Sequence, residues 1–166
     1  MGMMAPMKFR HELTYDAAPA EVFEMLADRA FREASAAAQD VVTAEVDLER
    51  EGNGFRLTID QEQRTDDLPS FARTFTGDTT RAVQREHWED STGGTLHIDA
   101  PGKPSEVKGT ITLRPQGSQT VEIVELDLKV RVPVLGGRLE KLLAERLVAG
   151  MDAEHGVGVA WLKGER

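Results

Sequence analysis

The sequence predicts an α+β domain in which a curved antiparallel sheet of about seven strands is covered by one long C-terminal helix. Three observations predict it. Between Val41 and Val132 short segments alternate apolar and polar residues and are parted by turn signals. After Gly136-Gly137 the period becomes helical, with an apolar stripe running to Leu162. Ahead of these segments, one short strand leads into two short helices. The chain has 166 residues, enough for one substantial core and short of two ordinary ones. A single domain over residues 7–164 is expected, with 1–6 a ragged start or expression leftover.

The elements follow in order. Met7 to Tyr15 alternates Phe9, His11 and Leu13 against Lys8, Arg10, Glu12 and Thr14, a strand pattern. In "DAAPAEVFEMLAD", Asp16 is a candidate N-cap, Pro19 suits an early helical position, and Val22, Phe23 and Leu26 have helical spacing. Phe31 to Ala38 is alanine-rich and reads as a second helix. From Val41 the period is two, with Ala44, Val46 and Leu48 on one face. Asn53-Gly54 is a hairpin signal, and Phe55, Leu57 and Ile59 alternate beyond it. Pro69 breaks that run.

Phe71 to Phe75 reads as a weaker strand, Thr80 to Trp88 as another, and Thr95 to Asp99 as its partner across "STGG". Val107 to Leu113 and Thr120 to Val132 are the remaining strands. In the last of these, Val121 and Ile123 give way to Val124, Leu126, Leu128, Val130 and Val132. A change of face by one residue predicts a β-bulge near Ile123–Val124. Arg138 to about Lys163 is helical, its stripe formed by Leu139, Leu142, Leu143, Leu147, Met151, His155, Val159 and Leu162. Gly150, Gly156 and Gly158 lie within it and predict a bend or a frayed end.

Composition removes several function classes. There is no cysteine, so disulfides, thiolate catalysis and cysteine-held metals are excluded. A formal net charge of -9 argues against nucleic acid and against an anionic lipid surface. No apolar run is long enough to span a membrane, and no export signal is read at the start, so the cytoplasm is the expected location. Oligomeric state is not readable.

The order of elements resembles the helix-grip fold of the START and polyketide-cyclase-like (SRPBCC) superfamily. The phrases "DLPSFARTF", "QREHW", "GKPSEVKGTITLRP" and "VRVPVLGGRLEKLL" are similar to an actinobacterial family of uncharacterised function within it. The resemblance covers nearly the whole chain and brings no catalytic residues. It implies a cavity between sheet and long helix, of the kind that holds lipids, sterols or polyketides in other members, some of which are cyclases or hydrolases.

Read residue by residue, candidate sites are few. "GGRLEK" lacks P-loop spacing, so Gly136-Gly137 is read as a corner between strand and helix. Glu140, Lys141, Glu145, Arg146, Asp152 and Glu154 are placed on the helix's outer face, a mixed set unlike the basic face of a membrane-surface helix. His97 and Asp99 share a strand face. An Asp90–Thr95 pairing would set them opposite Trp88 and Glu86, a grouping that metal binding or acid–base chemistry would use. Val83, Leu96 and Ile98 look like core, which turns His97, Asp99 and Glu86 to solvent. Trp88 conflicts with that assignment, so the buried face of Thr80–Trp88 stays open.

No catalytic, metal or cofactor site is assigned. The leading expectation is an apolar or lipid-like small molecule held by Phe55, Leu57, Trp88, Leu126, Leu128 and Val130 of the sheet and Leu143, Leu147, Met151 and His155 of the helix. The alternatives are a cyclase- or hydrolase-type enzyme in the same cavity, with His155 as acid–base residue, or a ligand-free interaction domain.

Overall fold

A computed structural model describes residues 5–166. The expectation for residues 1–4 lies outside the described residues. Seven strands form one antiparallel sheet: β1 (Met7–Tyr15), β2 (Thr43–Glu51), β3 (Gly54–Arg64), β4 (Thr79–Asp90), β5 (Gly93–Asp99), β6 (Ser105–Gln116) and β7 (Gln119–Val130). Their spatial order is β1-β7-β6-β5-β4-β3-β2. First and last strands are therefore neighbours, and β1 and β2 are opposite edges. Helices α1 (Pro19–Leu26) and α2 (Arg29–Ala38) carry the chain from one edge to the other. The long helix α4 (Gly136–Leu162) packs on α2, β7 and β1.

The helix starts are set by local chemistry. Pro19 occupies the first turn of α1, where its missing N–H costs nothing, so Ala18 is the N-cap and Asp16 is not. Asp28 accepts from Ala30 N at 2.9 Å and starts α2 two residues before Phe31. In the first hairpin Glu51 pairs with Gly54, so the two-residue turn is Gly52-Asn53, with the positive φ of +56° at Gly52. Gly54 opens β3, and there a Cβ would stand 1.7 Å from Trp88 O.

Three expectations are corrected. Residues 70–76 form a short helix, α3 (Ser70–Thr76), and not a strand. Pro69 accepts from Ala72 N and Arg73 N and so begins a helical turn. The β7 bulge is absent: its registers with β1 and β6 run unbroken, and the irregularity lies in β4 between Trp88 and Asp90. Helix α4 runs unbroken through Gly150, Gly156 and Gly158 to Leu162, so no frayed end falls at these glycines. At Gly158 a Cβ would lie 2.7 Å from the Tyr15 ring, so this glycine lets α4 approach β1 closely.

The core is aromatic at one end. Phe55 and Trp88 stack at 5.4 Å, and Phe23 packs against both at 5.6 and 5.9 Å. Leu57, Leu126 and Leu128 continue this packed region. Toward the other end α4 stands away from the sheet. Leu143, Leu147 and Met151 face inward yet remain only half-buried, whereas Gly158 and Trp161 are buried.

Candidate functional site: a cavity beneath the long helix

A cavity of about 640 Å³ lies between the sheet and the N-terminal two-thirds of α4. Its apolar wall includes Leu96, Ile98, Val107 and Val124 from the strands and Leu139, Leu143, Leu147 and Met151 from the helix. Exposed lining residues include Arg64, Asp66 and Asp67 at the end of β3 and just after it and Lys103 of the 100–104 loop, with Ala38 at the end of α2, Asp40 just after it, Arg81 on β4 and Ala149 on α4. The β3–β4 connection is tied to α4. Arg146 donates to Asp67 Oδ1 at 2.8 Å and to Arg64 O at 3.0 Å, and Arg138 lies 4.1 Å over the Phe71 ring.

The closed end is polar. Arg32 of α2 is 2% exposed and Glu86 of β4 is 4% exposed. Arg32 Nη1 and Nη2 donate to Glu86 at 3.1 and 2.9 Å, and Nε donates to Leu26 O at 2.7 Å. Glu86 also accepts from Gln84 Nε2 at 2.7 Å and from Trp88 Nε1 at 2.9 Å. Glu154 of α4 accepts from Ser35 Oγ at 2.6 Å and stands 3.7 Å from Arg32. Burial by itself would lower the proton affinity of Arg32; the Glu86 and Glu154 carboxylates outweigh it and raise it.

Glu122 of β7 completes the group. It is 4% exposed, lines the cavity, and its Oε1 has no hydrogen-bond partner. Burial pushes its pKa up to about 8, with Glu154 and Glu86 adding to the rise and Arg32 opposing it. The hydroxyl of Tyr15 is likewise buried and unpartnered, and burial raises its proton affinity far above the usual tyrosine value.

Of the residues proposed from the sequence, Val130, Leu143, Leu147 and Met151 line this cavity. Phe55, Leu57, Trp88, Leu126 and Leu128 are in the packed core beside it. His155 is outside the lining: its Nε2 donates to Thr14 O at 2.7 Å and its ring packs on Tyr15 at 4.8 Å, which joins α4 to the β1 edge. The proposed His97–Asp99–Glu86 grouping does not form. Thr95 pairs with His87, not with Asp90, so His97 stands opposite Arg85 and Asp99 opposite Val83 on the outer face. Glu86 and Trp88 point the other way, into the core. Glu154 and Glu140 also leave the outer helix face assigned to them; Glu140 is buried and accepts from Val130 N at 3.0 Å.

Comparison with known proteins adds the family. Residues 10–162 match the family described as a protein of unknown function (DUF2505). The chain belongs to that family. No curated protein matches it. Among solved structures, this DUF2505 member is similar to the protein TTHA0849 from Thermus thermophilus, at 21% identity and a TM-score of 0.65, over 93% of this chain and 98% of that one. It is similar to a START superfamily protein from Mycobacterium smegmatis, at 16% identity and a TM-score of 0.57, over 90% and 94%. Norcoclaurine synthase from Thalictrum flavum aligns at 14% identity and a TM-score of 0.60, over 91% and 85%. At these identities the likeness establishes the START-type helix-grip fold. Among the described residues no helix is long and apolar enough to cross a membrane.

Proposed function

We propose that this DUF2505 protein binds an apolar, lipid-like small molecule non-covalently in the cavity beneath α4. The observation that carries the reading is the half-buried stripe Leu143, Leu147 and Met151 above about 640 Å³ of space, in a fold whose other end is closely packed. Pockets for small molecules commonly enclose about 300–1,000 Å³, with mostly apolar walls and a few polar groups to orient the guest. Here aliphatic side chains of the strands and α4 share the wall with polar groups, among them Gln61, Gln63 and Gln84 of the sheet and the Glu86, Glu122 and Glu154 carboxyls. The surface supports the interaction-domain alternative poorly: among the described residues the exposed large apolar side chains are Val42 and Val134, which form no patch.

Titration with N-phenyl-1-naphthylamine, a neutral probe that brightens in apolar surroundings, tests the proposal. Saturable brightening is expected from the wild-type chain. Met151→Trp, whose indole would occupy the space beneath α4, is expected to abolish it. Equal brightening from M151W, or none from folded wild type, would overturn the reading. A catalytic use of the same cavity would rely on Glu122, since His155 is bonded to Thr14 outside it.

A further inference from the structure

We infer that the cavity selects a ligand whose apolar body ends in a protonated amine, the ammonium seated against Glu122 at the closed end. The inference rests on the cavity being a ligand site.

Four elements converge there: α2 with Arg32, β4 with Glu86, β7 with Glu122 and α4 with Glu154. One guanidinium faces three carboxyl groups. Three of its five N–H groups are committed, Nε to Leu26 O and one on each terminal nitrogen to Glu86. Glu86 has partners on both oxygens, from Arg32, Gln84 and Trp88. Glu154 has Ser35 and the edge of Arg32. Glu122 is what remains, a buried carboxyl on the cavity wall with an orphaned oxygen.

Such an oxygen normally has a partner, because leaving it without one costs the full desolvation of the group. The partner's charge follows from the surroundings. With Arg32 matched by Glu86, Glu154 leaves the cluster negative even when Glu122 is protonated. A carboxylate or phosphate end group would be repelled. A hydroxyl would satisfy the oxygen and leave the charge standing. An ammonium supplies three donors and offsets the charge. Burial, then Glu154 and Glu86, raise the proton affinity of Glu122, and Arg32 only partly opposes them. Leu143, Leu147 and Met151 would cover the ligand's alkyl body.

The test is calorimetric titration of decylamine, decan-1-ol and decanoate at neutral pH into wild type and Glu122→Gln. Wild type is expected to bind decylamine roughly tenfold or more tighter than decan-1-ol, with decanoate weakest, as a charge-assisted contact in a dry site requires. In E122Q the amine's advantage should collapse while decan-1-ol binds as before, which shows the pocket intact. Equal binding of alcohol or carboxylate by wild type, or an undiminished amine preference in E122Q, would overturn the inference alone. If none of the three binds folded wild type, the cavity reading falls with it. If E122Q loses decan-1-ol as well, Glu154→Gln takes its place, and an unchanged amine preference in that variant would overturn the inference.

Discussion

At Glu122 the side chain enters the core from near the start of β7, between Val121 and Ile123, and its environment reverses the usual cost of protonation. Unfolded, the carboxyl titrates near its ordinary value of 4.5; folded, it holds its proton to about 8. Below the lower value both states are protonated. As pH rises through the window the unfolded chain releases the proton first, so the folded state loses stability until about pH 8 is passed. Urea unfolding across that window should show wild type falling relative to E122Q; parallel curves would contradict the assignment. Arg32 is the opposite case. Arg32→Met would leave the buried Glu86 and Glu122 and the half-buried Glu154 without their cation, at a cost of about 3–5 kcal/mol by denaturant unfolding. A loss below about 1 kcal/mol, the scale of a surface pair, would show the cluster to be solvated. Glu122 was legible in part. The phase of Val124, Leu126, Leu128 and Val130, carried back two residues, places it inward, and the apparent slip in β7 is this polar residue on the apolar face. Glu86 shares phase with Trp88 in the same way. Arg32 left no signal, since an arginine in an alanine-rich helix ordinarily faces water.

At the scale of elements, α4 shows what period can and cannot reveal. Its stripe marked the buried face, yet Glu140 and Glu154 are also turned inward, because two acceptors are needed there, by Val130 N and by Ser35. Its glycines differ in kind. A Cβ at Gly156 meets nothing within 4 Å, whereas one at Gly158 meets the Tyr15 ring at 2.7 Å. Gly156→Ala should therefore raise stability by up to about 1 kcal/mol through helix propensity. Gly158→Ala should lower it by about 1–3 kcal/mol through overpacking. Thermal melts of the two variants check the difference in sign. The 65–78 connection was misread because Phe71 to Phe75 is apolar and short, and such runs do not separate strand from helix; Pro69 and the tie to α4 decided it. Arg146→Ala removes the bonds to Asp67 and Arg64 O, so amide exchange is expected to quicken across residues 65–78 and to stay unchanged in β6 and β7. Unaltered exchange at 65–78 would show that Arg138 on Phe71 holds the segment by itself.

For the whole molecule, alternation and turn chemistry made the sheet and its covering helix readable, because both are local properties of the chain. The cavity was expected only through the resemblance, and its extent was not readable from the residues, because it depends on how far α4 stands from the sheet. That distance is set at one end by Gly158 against Tyr15 and at the other by the 65–78 connection. Phe55, Leu57, Trp88, Leu126 and Leu128 have the inward phase expected of lining residues, but Phe55 and Trp88 are closed off by Phe23 of α1, and Leu57, Leu126 and Leu128 are buried in the packed core. The most direct test of the account is a crystal structure of the protein with decylamine. It should show the alkyl chain beneath Leu143, Leu147 and Met151 and the nitrogen within hydrogen-bond distance of Glu122. Decylamine confined to the outer surface, or a cavity closed by movement of α4 onto the sheet, would contradict it.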